Sequence, residues 1–170
     1  FNGSLLLLPK SCRLTELTLE GISNIQGDFQ CKDYFYVKEF VMPFIRVTGD
    51  MTIALNSGSV NTAAEIEFPK LLEIGGTLTL ENNKNANNIT FPLLKKILGS
   101  CSVTTYKLKN DIEFTNLESI GTDGADAQIK FEIEGTNILC PKLKTINGKF
   151  DITTSSFMFG MEADQVSYPN

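Results

Sequence analysis

Four cysteines (Cys12, Cys31, Cys101 and Cys140) and a scatter of carboxylates are the side chains here with the reach to do chemistry. The cysteines are an even set, so two disulfides are permitted without being required. No two are spaced C-x-x-C and the chain has no histidine. That removes zinc-ligand spacing and every His-dependent triad or dyad. One local carboxylate pair, Glu132 and Glu134, flanks Ile133 and has the look of a glycosidase pair. On an alternating strand both side chains fall on the solvated face, and Glu65, Glu67, Glu73 and Glu118 likewise read as strand-exterior or loop residues. Asp123 and Asp126 fall short of the oxygen ligands a calcium loop needs. The expectation is a protein with no catalytic residue, no metal site and no cofactor.

Composition narrows the partners. A chain of 170 residues with 42% hydrophobic content is long enough for one domain with a sizeable core. The net charge of -5 and the scattered basic residues, densest at Lys95-Lys96, speak against nucleic acid. The longest aliphatic run, Leu5-Leu6-Leu7-Leu8, ends at Pro9 and is far shorter than the roughly 20 residues of a membrane span. No membrane insertion by this segment is expected. Phe1 in place of an initiator Met reads as a processed product or a fragment, with any secretion signal or anchor outside it. Two sequons, at Asn2 and Asn88, lean toward secretion and mark both as glycosylation sites.

The elements that would hold these residues announce themselves by repetition. An aliphatic residue, a Gly two positions on and then an alternating apolar pair recur from Ile25, Val47, Ile74, Ile97 and Ile146. A sixth unit from Ile120 carries an insertion, 121–126, before its strand, with Thr122 where the Gly should stand. The steps are about 22 to 27 residues, in the range of solenoids. Ahead of the later strands stand Met42-Pro43-x-Ile45, Phe68-Pro69-x-Leu71, Phe91-Pro92-x-Leu94, Phe114-x-x-Leu117 and Cys140-Pro141-x-Leu143. Pro cannot donate to a ladder, so it sits in a turn or at a strand mouth.

A unit this small cannot bury its apolar face alone, whereas stacking on a copy does so. The predicted fold is all-β, a right-handed parallel β-helix of about six rungs. Its interior would be vertical files: Phe68, Phe91 and Phe114; Leu71, Leu94, Leu117 and Leu143; Ile74, Ile97, Ile120 and Ile146. Outward positions are polar or small, including a short file of Thr52, Thr79 and Ser102. Five of the seven residues 82–88 are Asn, an inter-rung loop that would also present Asn88.

The pattern Phe-Pro-x-Leu-x-x-Ile-x-Gly-x-Φ-x-Φ resembles the receptor L domain, a leucine-rich-like right-handed β-helix. That domain occurs in the ectodomains of insulin and epidermal growth factor receptors and in fungal surface glycoproteins of the Ecm33/Sps2 type. The resemblance covers residues 25–153, with 1–24 as an N-terminal cap and 154–170 as a C-terminal edge or linker. In such domains an N-terminal cysteine pair often staples the first turn, which makes Cys12–Cys31 the bridge the resemblance implies; Cys31 as a free core thiol competes with it. Cys101 and Cys140 are expected as buried free thiols. A leucine-rich horseshoe is the rival fold, disfavoured because Asn83 has no counterpart in the next unit, where Tyr106 stands.

The resemblance implies a non-enzymatic extracellular, cell-surface or cell-wall module for structure, adhesion or recognition of protein or glycan. A ligand-binding receptor ectodomain is the alternative and a carbohydrate-active enzyme a distant third. Open solenoid ends invite end-to-end or multi-domain assembly.

Overall fold

The computed structural model describes residues 1–8, 15–33, 37–55, 65–83, 86–106, 108, 110–124, 126–134 and 137–154. Every regular element in them is a β-strand. Strand β1 (Leu5–Leu7) comes first, and triplets follow. These are β2 (Glu16–Thr18), β3 (Asn24–Ile25) and β4 (Phe29–Lys32); then β5 (Glu39–Val41), β6 (Arg46–Val47) and β7 (Met51–Ala54). Next come β8 (Glu65–Glu67), β9 (Glu73–Ile74) and β10 (Leu78–Glu81), then β11 (Asn88–Thr90), β12 (Lys96–Ile97) and β13 (Cys101–Tyr106). The last are β14 (Ile112–Glu113), β15 (Ser119–Ile120) and β16 (Ala127–Glu134), then β17 (Ile138–Leu139), β18 (Thr145–Ile146) and β19 (Gly148–Thr154).

Each triplet is one coil, and every strand pairs in parallel with its counterparts above and below. Three sheets result. Sheet I holds β1, β4, β7, β10, β13, β16 and β19; sheet II runs from β2 to β17, and sheet III from β3 to β18. The molecule is thus the expected parallel β-solenoid. Within residues 1–24, read as an N-terminal cap, β1 pairs with β4 and β2 with β5.

Register puts like over like. Ile74, Ile97, Ile120 and Ile146 are consecutive partners on the inward side of sheet III, all buried. Leu71, Leu94, Leu117 and Leu143 are buried as well. Phe68 and Phe91 stack with centroids 5.0 Å apart, as do Phe91 and Phe114. The Phe-Pro-x-Leu signature is a β-turn between sheets II and III. In it the Leu71 amide donates to the Phe68 carbonyl at 3.4 Å, a bond repeated at Leu94, Leu117 and Leu143. Pro at the second position pre-sets the φ such a turn requires.

The register corrects two readings of the repeat. In the second coil the turn is one residue shorter, so Phe44 rather than Ile45 takes the buried place of Leu71, and Ile45 is 40% exposed. In the fifth coil Gly121 stays in register, its amide bonded to the Ile97 carbonyl, and Ala127 pairs with Gly148. The position equivalent to the corner Gly is therefore Ala127, not Thr122, and the insertion is 122–126. It is tied to the next coil by Asn147 Nδ2, which donates to Asp123 Oδ1 at 2.9 Å.

Candidate functional site

The packed interior offers little chemistry. Cys31, Cys101 and Cys140 are free and fully buried, on the inward side of sheet I and in the Phe68 file. The implied Cys12–Cys31 bridge is not formed, since Cys31 is a free thiol; Cys12 itself lies outside the described residues. Burial holds all three thiols in the protonated form, pushing Cys140 up to about 12 and the other two higher still. Cys140 adds to the rise at Cys101, so the two share one interior neighbourhood.

One interior polar residue was not anticipated. Asn83 is 1% exposed; its Oδ1 accepts from the Leu55 amide and its Nδ2 donates to the Ile53 carbonyl, both at 3.0 Å. It closes the end of the preceding coil where the strand stops and the backbone loses its ladder partners. Asn82 beside it takes the left-handed conformation (φ 54°) that turns the chain away.

Among the described residues, the side chains that meet solvent lie on the outer faces of the three sheets. Sheet I presents Thr52, Thr79 and Ser102 in register, flanked by the ion pairs Lys32–Glu81 (3.9 Å) and Lys130–Glu132 (2.9 Å). Its partner pairing makes Glu132 a surface salt-bridge residue; the Glu134 side chain lies outside the description.

Sheet II is acidic. Glu16, Glu39 and Glu65 are successive partners, and Glu67 and Glu113 lie one file over. Amides interleave with the carboxylates. Asn87 and Asn88 donate to the two oxygens of Glu65 at 2.7 and 2.6 Å, and Asn110 donates to Asn88 Oδ1 at 2.9 Å. Asn88 is thus a half-buried strand residue with its side chain on this outer face, and the Asn-rich loop supplies structural donors as well. Asn2 is exposed and bridges to Gln26.

Sheet III carries a concave surface. A groove of about 540 Å³ crosses its first four coils, lined by Asn24 and Gln26, Ile45, Arg46 and Thr48, Leu72 and Glu73, and Lys95 and Lys96. Ile45 and Leu72 are each 40% exposed. They are neighbours in one file, since the Leu72 amide donates to the Ile45 carbonyl at 2.8 Å and the Lys95 amide to that of Leu72 at 2.9 Å. Arg46 Nη2 bonds Glu73 Oε2 at 3.3 Å.

Lys95-Lys96, Glu73 and Ile45 were conspicuous in the sequence for other reasons, but nothing there grouped them into one groove. The available signal was the residue two before each inward aliphatic: Ile45 and Leu72 break the polar pattern that Lys95, Glu118 and Lys144 follow. Among the described residues, no group of acidic, Cys or His side chains is arranged to hold a metal ion. No family model matches the chain, and comparison with curated proteins and with solved structures returns no match.

Proposed function

We propose that this chain is a non-enzymatic recognition and adhesion module of an extracellular or cell-surface protein, built on the receptor L-domain plan. The observation that carries the reading is the sheet III groove. A rigid solenoid holds Ile45 and Leu72 exposed at fixed spacing among cations, although burying them would be favourable. Two aliphatic side chains kept adjacent in water within a concave, charged lining are a point of contact for a partner.

Other features support the parts of this reading. The L-domain plan rests on the Phe-Pro-x-Leu turn and the Phe file repeated coil after coil. Surface exposure rests on the two sequons, with Asn2 in solvent and Asn88 on an outer face. A non-catalytic role is supported by thiols kept from ionising and by a Glu132 engaged with Lys130. The outer edge of β1, with Leu6 and Leu8 more than half exposed, supports end-to-end or multi-domain assembly.

The test is secretory expression of the whole chain, followed by binding to a mixed array of glycans and peptides. Saturable binding that is lost in Ile45→Ser/Leu72→Ser, together with glycans at Asn2 or Asn88 by mass spectrometry, is expected. Binding indifferent to that double substitution, or turnover of an arrayed glycan, overturns the reading.

A further inference from the structure

We infer that the sheet III groove takes an extended acidic protein segment that sets an aliphatic side chain on Ile45 and Leu72 and carboxylates on Lys95 and Lys96. This deepens the recognition reading and rests on it.

Charge is the first argument. The chain as a whole is at -5, yet the groove is lined by three cations, Arg46, Lys95 and Lys96, against one carboxylate, Glu73. Glu73 is already taken by Arg46 at 3.3 Å. Lys95 and Lys96 are exposed, and among the described residues neither forms an ion pair. The groove lining carries a net positive charge on an acidic protein, with Glu73 between Arg46 and Lys96 in register and Glu118 following Lys95 in its file. Complementary charge steers and orients such a partner.

Geometry is the second. Ile45, Leu72 and Lys95 follow one another in a single file, one coil apart, so the apolar and cationic ends are separated by about 10 Å at roughly 4.8 Å per coil. An extended peptide covers that distance in about three residues. An aliphatic residue and a carboxylate two or three positions away would reach both ends together.

The lining also selects among anions. Sugar rings stack their C–H faces on aromatic side chains and spend hydroxyls on hydrogen bonds; here no aromatic lines the groove, and the chain has no Trp. An aliphatic pair would strip water from hydroxyls and return nothing. Nucleic acid would ask for more phosphate contacts than three cations supply. The competing occupant is a second copy, because sheet II stacks Glu16, Glu39 and Glu65 in one file.

The experiment uses the intact chain and fluorescence anisotropy. Its probes are a short labelled peptide of alternating Glu and Leu, its Gln/Leu and Glu/Ser counterparts, and a heparin-derived oligosaccharide. Saturable binding of the Glu/Leu peptide is expected, weakened by salt and lost in the Gln/Leu and Glu/Ser forms. Lys95→Glu/Lys96→Glu should weaken it about tenfold or more, and Leu72→Ser about fivefold. All three positions are exposed, so circular dichroism should report an unchanged fold. Equal binding of the Gln/Leu peptide, or binding indifferent to the lysine reversal, overturns the inference. Saccharide binding abolished by the lysine reversal also overturns it while leaving the recognition reading standing. Self-association abolished by the same reversal, read by sedimentation, overturns it in favour of a second copy. No binding by any probe, with no self-association, fails both.

Discussion

Phe68 and Phe91 lie face to face, ring planes 2° from parallel and centroids 5.0 Å apart, although 23 residues separate them in the chain. Phe114 continues the stack at 5.0 Å and 9°. The ring spacing equals the coil spacing, so the rings are stacked because the backbones are. That relationship makes the interior of this protein a set of files, each sensitive at its middle member.

Phe91 is such a member, covered by a ring on each side. Phe91→Ala is expected to destabilise the protein by about 3–5 kcal/mol, and Phe91→Leu by less, since Leu refills part of the space. Urea unfolding followed by far-ultraviolet dichroism reads both. A Phe91→Ala midpoint equal to wild type would mean the file carries no load.

The corner glycines make a steric prediction. A Cβ on Gly99 would sit 2.7 Å from the carbonyl carbon of Gly76 and 2.8 Å from its oxygen. Both are backbone atoms of the adjoining coil, held by the Gly99 amide bond to that same carbonyl at 3.0 Å. Gly99→Ala should therefore cost about 1–3 kcal/mol by overpacking, where an Ala for Gly in an unhindered strand would be neutral or helpful. Thermal unfolding that shows no loss would contradict the close approach.

Asn83 ties two coils through the amide of Leu55 and the carbonyl of Ile53. Asn83→Ala leaves a buried donor and a buried acceptor unpaired, each costing about 1–3 kcal/mol. Loss of stability together with faster amide exchange at Leu55 is expected. Unchanged exchange at Leu55 would show that another group takes over.

The buried thiols set an alkaline limit. Burial lifts the folded-state pKa of all three above the ordinary thiol value of about 9, with Cys140 at about 12. Above pH 9 the unfolded chain releases thiol protons that the folded chain keeps, so the unfolded state binds fewer protons and stability falls as pH rises. Their contribution is fully present below pH 9 and fades toward pH 12, at up to about 1.4 kcal/mol per pH unit for each thiol. Cys140→Ala should unfold more easily at pH 7 but lose stability less steeply between pH 9 and 11. In native buffer Cys31, Cys101 and Cys140 should resist a thiol reagent that modifies them at once in denaturant. Rapid labelling of Cys101 in native buffer would contradict its burial.

The sequence by itself determined the coil and its interior. A coil of 22 to 27 residues can hide its apolar side chains only beneath their own counterparts, so the constraint recurs at every turn and is written into the chain as a period. Phe68, Phe91, the Leu and Ile files and the Pro-bearing turn were legible for that reason. Tertiary structure decided what has no period. Outer-face side chains meet water rather than copies of themselves, so no repetition is imposed on them and nothing in the pattern showed Ile45, Leu72, Lys95 and Lys96 converging from three coils. A turn one residue short sent Ile45 outward and Phe44 inward, a one-place shift that only the backbone register reveals. Asn83 was visible only as an asparagine without a counterpart in the next unit, because its partners, 28 and 30 residues away, are backbone groups that any sequence would provide. Interior files are chosen by repetition, while the surface and the single ties between coils are chosen by where the chain folds back.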